Sequence, residues 1–478
     1  MLKQSFIPTA RLGRCWGLRT LKSKQSWTVF CKSISHFSSS NHDGLFRVWN
    51  FPSSDGDDEK RRGNLYSMEE QSSLWVPKVT EYNKEKMSFV DAFRDAVSHF
   101  LPAQYPSSVA PGYMRFASFC FTASVAGSAA MVLSTQTLLL AVGVVGSNAQ
   151  QASIMAGAFN WVMKDFVGQL GGVIFASKMG KTRAFDADPK RWRMVAAMAL
   201  DGATLLEILS PLFHSSMVLP VASIANVGKN IGFLTASASR AALHQSLAIS
   251  GNLGDVTAKS GSQSIMASLM GTTVGIGLSS LLEHDTFNFA MGFCALTVVH
   301  QGCNYLSLKA VPLSHFNRQR LDLVLGRYIE KGDVPSPAVL TKEEVFFPLA
   351  ADKKKDWLSI GRPLKEACPE PSKLLPLLRA APGESYLINL VKGRVHLVFF
   401  KEATGEDKIR GMYHAFLAHQ QSTVLDGSNA CAIVEAAHEE VNEKFPIFIE
   451  RLNDTGWKTG TEFTSLESRD AHRLFIEK

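Results

Sequence analysis

The chain has 478 residues, enough for two or three domains, and 50 basic against 43 acidic side chains give it a formal charge of +7. Seven bases (Lys3, Arg11, Arg14, Arg19, Lys22, Lys24 and Lys32) precede the first acid, Asp43, so the remainder is near neutral; a nucleic-acid binder would need a basic face on its folded part. The seven cysteines are scattered singly, with no Cys-x-x-Cys and no Cys/His pairing at zinc spacing, which argues against a zinc site or a disulfide framework.

Residues 1–42 are acid-free, basic and rich in serine (Ser33, Ser35, Ser38, Ser39, Ser40), and lack the continuous apolar run of a secretory signal. That composition marks an organelle transit peptide, with a disordered basic tail as the plainer alternative. Residues 43–87 read as a disordered polar linker, because Asp55-Gly56-Asp57-Asp58-Glu59 runs straight into Lys60-Arg61-Arg62. The first folded element is expected over 88–101, where Phe89, Phe93, Val97 and Phe100 recur at helical spacing. Proline-rich residues 105–113 then form a connector.

Between Phe116 and Leu308 only 18 of 193 residues are charged, against 48 of the last 170, whereas globular domains run near 25%. Such a belt must be hidden from water inside a large helical core or a bilayer. The spacing predicts helices at about 116–142, 151–177, 194–213, 217–239, 262–282 and 286–308, each near the ~20 residues that span a bilayer. Two Gly-x-x-x-Gly spacings, Gly228/Gly232 and Gly271/Gly275, let helix backbones approach closely. Beyond Lys309 the composition is ordinary. Residues 331–384 read as a proline-rich link, and 385–478 as a small α+β domain. Its hairpin turns at Lys392-Gly393, helices follow at about 407–424, 429–444 and 446–454, and a strand lies near Trp457 to Phe463. The fold class is therefore mainly α: an apolar multi-helix bundle over 88–330, then the α+β domain.

Polar groups kept in the belt cost free energy to hide, so function is sought there first. The densest cluster is Asp186-Ala187-Asp188-Pro189-Lys190-Arg191-Trp192-Arg193. Asp188 before Pro189 suits a helix start. Lys190, Arg191 and Arg193 beside Trp192 either hold an anion or acidic partner, or staple helices together through Asp186 and Asp188. Lys164-Asp165, inside an apolar helix, is the second candidate. Adjacent helical residues point about 100° apart, so each is expected to meet another helix, for instance at Glu207, Lys229 or Arg240. The third is 252–263, with Asn252, Asp255 and Lys259, read as a polar loop that caps helices or contacts a ligand. Gly180-Lys181-Thr182 lacks the first glycine of a phosphate loop, and no His-Glu-x-x-His occurs.

These clusters, in this order, resemble the root UVB sensitive family. The likeness rests on Tyr105-Pro106 with Val109-x-Pro111-x-Tyr113, on Asn160-Trp161-x-x-Lys164-Asp165, and on the Asp186 to Arg193 run. Leu206-Glu207-x-x-Ser210-Pro211, Asn226-x-x-Lys229, Arg240-Ala241-Ala242 and Asn252-Leu253-x-Asp255-Val256-x-Ala258-Lys259 complete it. Phe166, Gly172 and Ser260 stand where the family usually has Gly, Arg and Asp, as in a divergent paralogue. The resemblance implies a plant protein linked to root UV-B sensitivity, seedling development and vitamin B6 status. It also implies association with other family members and no enzymatic activity. No lysine context marks a pyridoxal phosphate Schiff base, and no cofactor or metal is expected.

Three function classes stand together: a membrane-associated developmental or signalling factor in plastids (alternatively mitochondria), a carrier for a small anionic metabolite, and a soluble small-molecule-binding protein. Membrane lipid and family members are the expected partners. A small-molecule ligand, if there is one, is left open.

Overall fold

The computed structural model describes residues 47–50, 64–71, 74–81, 97–141, 151–179, 184–282, 286–347, 357–424, 430–460, 464–466 and 471–475. They divide between two compact units, Met1–Asp91 and Ala92–Lys478. Residues 1–42, read from the sequence as a transit peptide, and most of the helix expected at 88–101 lie outside the described residues.

The first unit holds three strands, β1 (Arg47–Asn50), β2 (Asn64–Gln71) and β3 (Leu74–Glu81), in an antiparallel meander with Arg47 opposite Ser67 and Leu65 opposite Thr80. The sequence reads this stretch as unstructured. The charge run that suggests so falls between β1 and β2, whereas Leu74-Trp75-Val76 and Val79-Thr80 are strand formers.

In the second unit the six apolar segments are six helices: α1 (Tyr113–Ala141), α2 (Gln151–Met179), α3 (Pro189–Ile208), α4 (Ser215–Leu247), α5 (Leu253–Leu281) and α6 (Thr286–Lys309). Helix α1 packs on α5, α6 and α3, while α4 lies between α3 and α2. The glycine pairs make these contacts. A Cβ on Gly271 would fall 2.3 Å from the Val125 carbonyl oxygen, and one on Gly232 would fall 2.7 Å from Leu200 Cγ.

Residue size is distributed across these helices in an unusual way. On α5 the buried positions are Val256, Ala267, Gly271, Gly275 and Ser279, whereas Ile265 is 75%, Leu269 64% and Leu281 77% exposed. Helix α2 turns Phe159, Val162 and Phe166 outward, and α6 does the same with Phe287 and Val298. On α5 the inward face is mostly small and the outward face large and apolar, whereas α6 also buries Phe289 and Phe293. Of the six segments expected near spanning length, three are long and apolar enough to cross a membrane among the described residues: Tyr113–Leu139, Ser216–Leu247 and Leu253–Leu281.

The chain then leaves the bundle through β4 (Phe316–Asn317) and α7 (Arg318–Lys331), which Gly332 ends in a left-handed conformation. Strands β5 (Leu358–Ile360), β6 (Tyr386–Val391) and β7 (Arg394–Phe399) form a sheet of order β5-β7-β6, parallel then antiparallel. Lys392 and Gly393 both have positive φ, as a two-residue hairpin turn requires. Helices α8 (Gly405–Val424) and α9 (Ala430–Asp454) follow, and β8 (Thr464–Ser465) pairs with β4.

Helix α9 is continuous where the sequence suggests a break, because Phe445, Phe448 and Leu452 on either side of Pro446 are buried together in one core. That core also takes Phe316, Leu321, Val324 and Leu325 from β4 and α7, and Leu340 and Leu358 from the proline-rich stretch. Trp457, expected to open a strand, instead stacks on Phe316 with ring centres 4.5 Å apart and donates Nε1–H to the Pro335 carbonyl at 2.8 Å.

Candidate functional site

The basic cluster divides among several tasks. Asp188 caps α3, accepting from the Arg191 amide at 3.4 Å and pairing with its Nε at 3.1 Å. Trp192 meets Phe185 edge to face at 5.2 Å, and Asp186 is exposed. Lys190 is fully buried. Its ammonium pairs with one oxygen of Glu344 and reaches Thr341 Oγ1 at 3.3 Å, while the Arg320 guanidinium takes the other oxygen. Arg320 also donates to the His315 carbonyl at 2.9 Å.

One carboxylate thus holds two buried cations. Burial lowers the pKa of Lys190 to about 8, with Glu344 opposing that fall. Burial pushes Glu344 the other way, but Arg320 and Lys190 outweigh it and hold the carboxyl below its usual range. Both key partners, Glu344 and Arg320, were missed from sequence, since each lies in a stretch rich in charges of both signs. The Phe346-Phe347 pair beside Glu344 was the available hint.

Lys164 and Asp165 pair with each other at 3.0 Å, contrary to the expectation from helix geometry. The long Lys164 side chain curls over the Trp161 ring, 4.3 Å from its centre. Asn226 Nδ2 on α4 donates to Asp165 Oδ1 and to the Lys164 carbonyl, both at 3.1 Å. Glu207 and Lys229, proposed partners for that pair, bind one another and the Ser134 hydroxyl. Asp201 is met from α6 by His300 Nδ1 at 2.8 Å and Gln301 Nε2 at 2.6 Å.

The stretch 252–263 is not a loop but the end of the α4–α5 turn followed by the first turns of α5. Its polar groups clamp residues 99–103, which lead into the proline-rich connector. Asp255 accepts from the Ala103 amide at 2.7 Å, Lys259 donates to the His99 carbonyl at 2.8 Å, and Gln263 donates to the Phe100 carbonyl at 2.8 Å. These partnerships explain the polarity without a loop. Asn252 occupies the cap position but makes no capping bond, and both its side-chain polar atoms are shielded without a partner among the described residues.

Arg193 enters a separate pocket of about 30 Å³, built from Phe116, Cys120 and Ser124 of α1, Arg240 and His244 of α4, and Ser260, Gln263 and Ser264 of α5. Arg193 Nη1 donates to the Ala236 carbonyl at 3.3 Å. The pocket therefore joins one member of the basic cluster to the polar first turns of α5. Arg240, read in the sequence as a partner for the Lys164 pair and as part of the family likeness, is its second cation. Among the described residues no group of three His, Cys, Asp or Glu side chains is placed to hold a metal.

An apolar bundle with internal ion pairs, continued by an α+β region whose core takes in α7, defines the class. The family model described as the vitamin B6 photo-protection and homoeostasis domain matches residues 84–332, and the root UVB sensitive C-terminal model matches 333–468. The chain belongs to the root UVB sensitive family. It is 28% identical to the Arabidopsis thaliana protein root UVB sensitive 3 over 384 residues, covering 78% of this chain and 84% of that one. It is 29% identical to root UVB sensitive 2, chloroplastic, of the same organism, covering 82% and 88%. A Dictyostelium discoideum protein, RUS family member 1, is 31% identical over 254 residues, covering 52% and 47%, so relatives extend beyond plants. No solved structure matches.

Proposed function

We propose that this chain is a membrane-embedded, non-catalytic member of its family that acts in vitamin B6 homoeostasis and in the UV-B response of developing plants by binding other family members. The carrying observation is the outward placement of large apolar side chains, with Ile265, Leu269 and Leu281 of α5, Phe159, Val162 and Phe166 of α2 and Phe287 and Val298 of α6 exposed, while α5 packs inward mainly through Ala267, Gly271, Gly275 and Ser279. A protein folded in water hides most such side chains, and large exposed apolar patches mark contact with lipid or protein. In a bilayer, helices associate through small residues, and ionisable groups turn inward to pair. Glu207 with Lys229 and Asp201 with His300 fit that rule.

The matched domain description supports the vitamin B6 link. The acid-free N-terminus and the chloroplastic relative support a plastid location. The test is alkaline carbonate extraction of organelles containing the full chain. Retention in the pellet is expected, and release into the supernatant refutes the membrane reading.

A further inference from the structure

Among the described residues of the second unit, four buried cations have anionic partners. Lys164 has Asp165, Lys229 has Glu207, and Lys190 and Arg320 share Glu344. The pocket between α1, α3, α4 and α5 breaks this pattern. Arg193 and Arg240 both line it, and no Asp or Glu does. Arg193 donates only to the neutral Ala236 carbonyl, and among the described residues Arg240 has neither a hydrogen bond nor an ion pair.

A second, independent feature is His244. It is 1% exposed, its Nδ1 faces Thr257 Oγ1 at 3.2 Å, and its Nε2 has no partner although it belongs to the pocket wall. Phe116 packs edge to face on its ring and fixes its direction. Ser124, Ser260 and Ser264 add hydroxyl donors around the same space.

Two part-buried guanidiniums that face one space without a counter-charge repel each other. An anion of matching geometry would relieve that repulsion. Guanidinium offers paired, parallel N–H donors that match two oxygens of a phosphate, whereas a halide presents a single spherical acceptor. The imidazole Nε2 and the serine hydroxyls supply the further donors that a tetrahedral oxyanion, but not a planar carboxylate alone, can use. The open space exceeds the ~15 Å³ that one water needs, and it suits an anionic head rather than a large ring system.

We infer that Arg193, Arg240 and His244 form a binding site for a phosphate-type oxyanion, borne either by a small soluble phosphate ester or by a lipid headgroup. The site is independent of the membrane reading, because its donors converge whether lipid or water surrounds the bundle.

The experiment uses the purified full chain, with inorganic phosphate titrated to about 10 mM against chloride of equal ionic strength, read by calorimetry and by unfolding temperature. A parallel arm places the chain in phosphatidylcholine discs with and without phosphatidic acid. Saturable binding in either arm is expected. Phosphate binding marks a soluble ester, and binding only with phosphatidic acid marks a lipid headgroup.

Arg240→Gln should weaken that binding by about tenfold or more, the worth of a charge-assisted hydrogen bond. In chloride alone its unfolding temperature should equal or exceed that of the parent, because one of two facing cations has gone. A purely structural arginine would show the opposite. Equal binding by the parent and Arg240→Gln overturns the assignment, and so does absence of saturable binding by the parent in both arms. The second criterion needs no variant to fold.

Discussion

Glu344 is the residue whose loss should cost most for its size. It is 2% exposed and sits between Lys190 at 0% and Arg320 at 1%, so Glu344→Leu leaves two buried cations with no counter-charge. Removing one partner of a buried pair costs about 3–5 kcal/mol, about a fifth or more of a typical total of roughly 5–15 kcal/mol. Lys190, already lowered to about 8, escapes part of that cost by releasing its proton. Arg320 cannot. Lys190→Met is the milder change, because Glu344 keeps Arg320, and about 1–2 kcal/mol is expected. The triple variant Lys190→Met, Glu344→Leu, Arg320→Met removes every charge and should recover most of the loss. Urea unfolding of the full chain, followed by circular dichroism in one detergent, orders the variants. If Glu344→Leu costs no more than Lys190→Met, or the triple variant is the least stable, the trio is not the staple described.

His414 should make the fold acid-sensitive. It is fully buried, with Nδ1 facing the Tyr386 hydroxyl at 3.1 Å and Nε2 facing the Val434 carbonyl at 3.0 Å, and burial lowers its pKa to about 4. The unfolded chain binds this proton near pH 6.5 and the folded chain does not, so stability falls between pH 6.5 and about 4 by up to roughly 3 kcal/mol. His414→Gln should flatten that part of the stability–pH curve, and an unchanged slope would count against the assignment. Two glycines of α5 should also part company. Gly271→Ala drives a Cβ toward the Val125 carbonyl and should cost at least about 1 kcal/mol, whereas Gly277, with nothing within 4 Å, should tolerate Ala or gain up to about 1 kcal/mol of helix propensity. Matched thermal unfolding of the two variants decides the point, and equal losses would contradict the packing.

The parts legible in the sequence were those set by local signals. Unbroken apolar runs with polar breaks marked the six long helices, and Lys392-Gly393 marked the hairpin. The Asp188-Pro189 pair gave the start of α3. What escaped depended on contacts distant along the chain. Glu344 is 154 residues from Lys190, and nothing local separates it from the other acids of the tail. The polarity of 252–263 suggested a loop because its partners, the backbone groups of 99–103, lie about 150 residues earlier. Arg193 was picked out as a cation, but its meeting with Arg240 and His244 depends on how α3 crosses α4. Continuity of α9 through Pro446 was hidden because core burial on both sides overrides the proline.

The sharing of α7 has a consequence for how the gene can be cut and recombined. The two family models meet between residues 332 and 333, but Leu321, Val324 and Leu325 before that point lie in one core with Leu340, Leu387 and Val441 after it. A hybrid spliced there from two relatives at about 28% identity would bring together facing surfaces that never evolved against each other. Exchange is better placed after Lys309, where the bundle's last long helix ends, provided that the two parents carry matching partners at the positions of Lys190 and Glu344, which such a junction separates. Substitutions on α7 should therefore be compensated in the C-terminal region rather than in the bundle that precedes it.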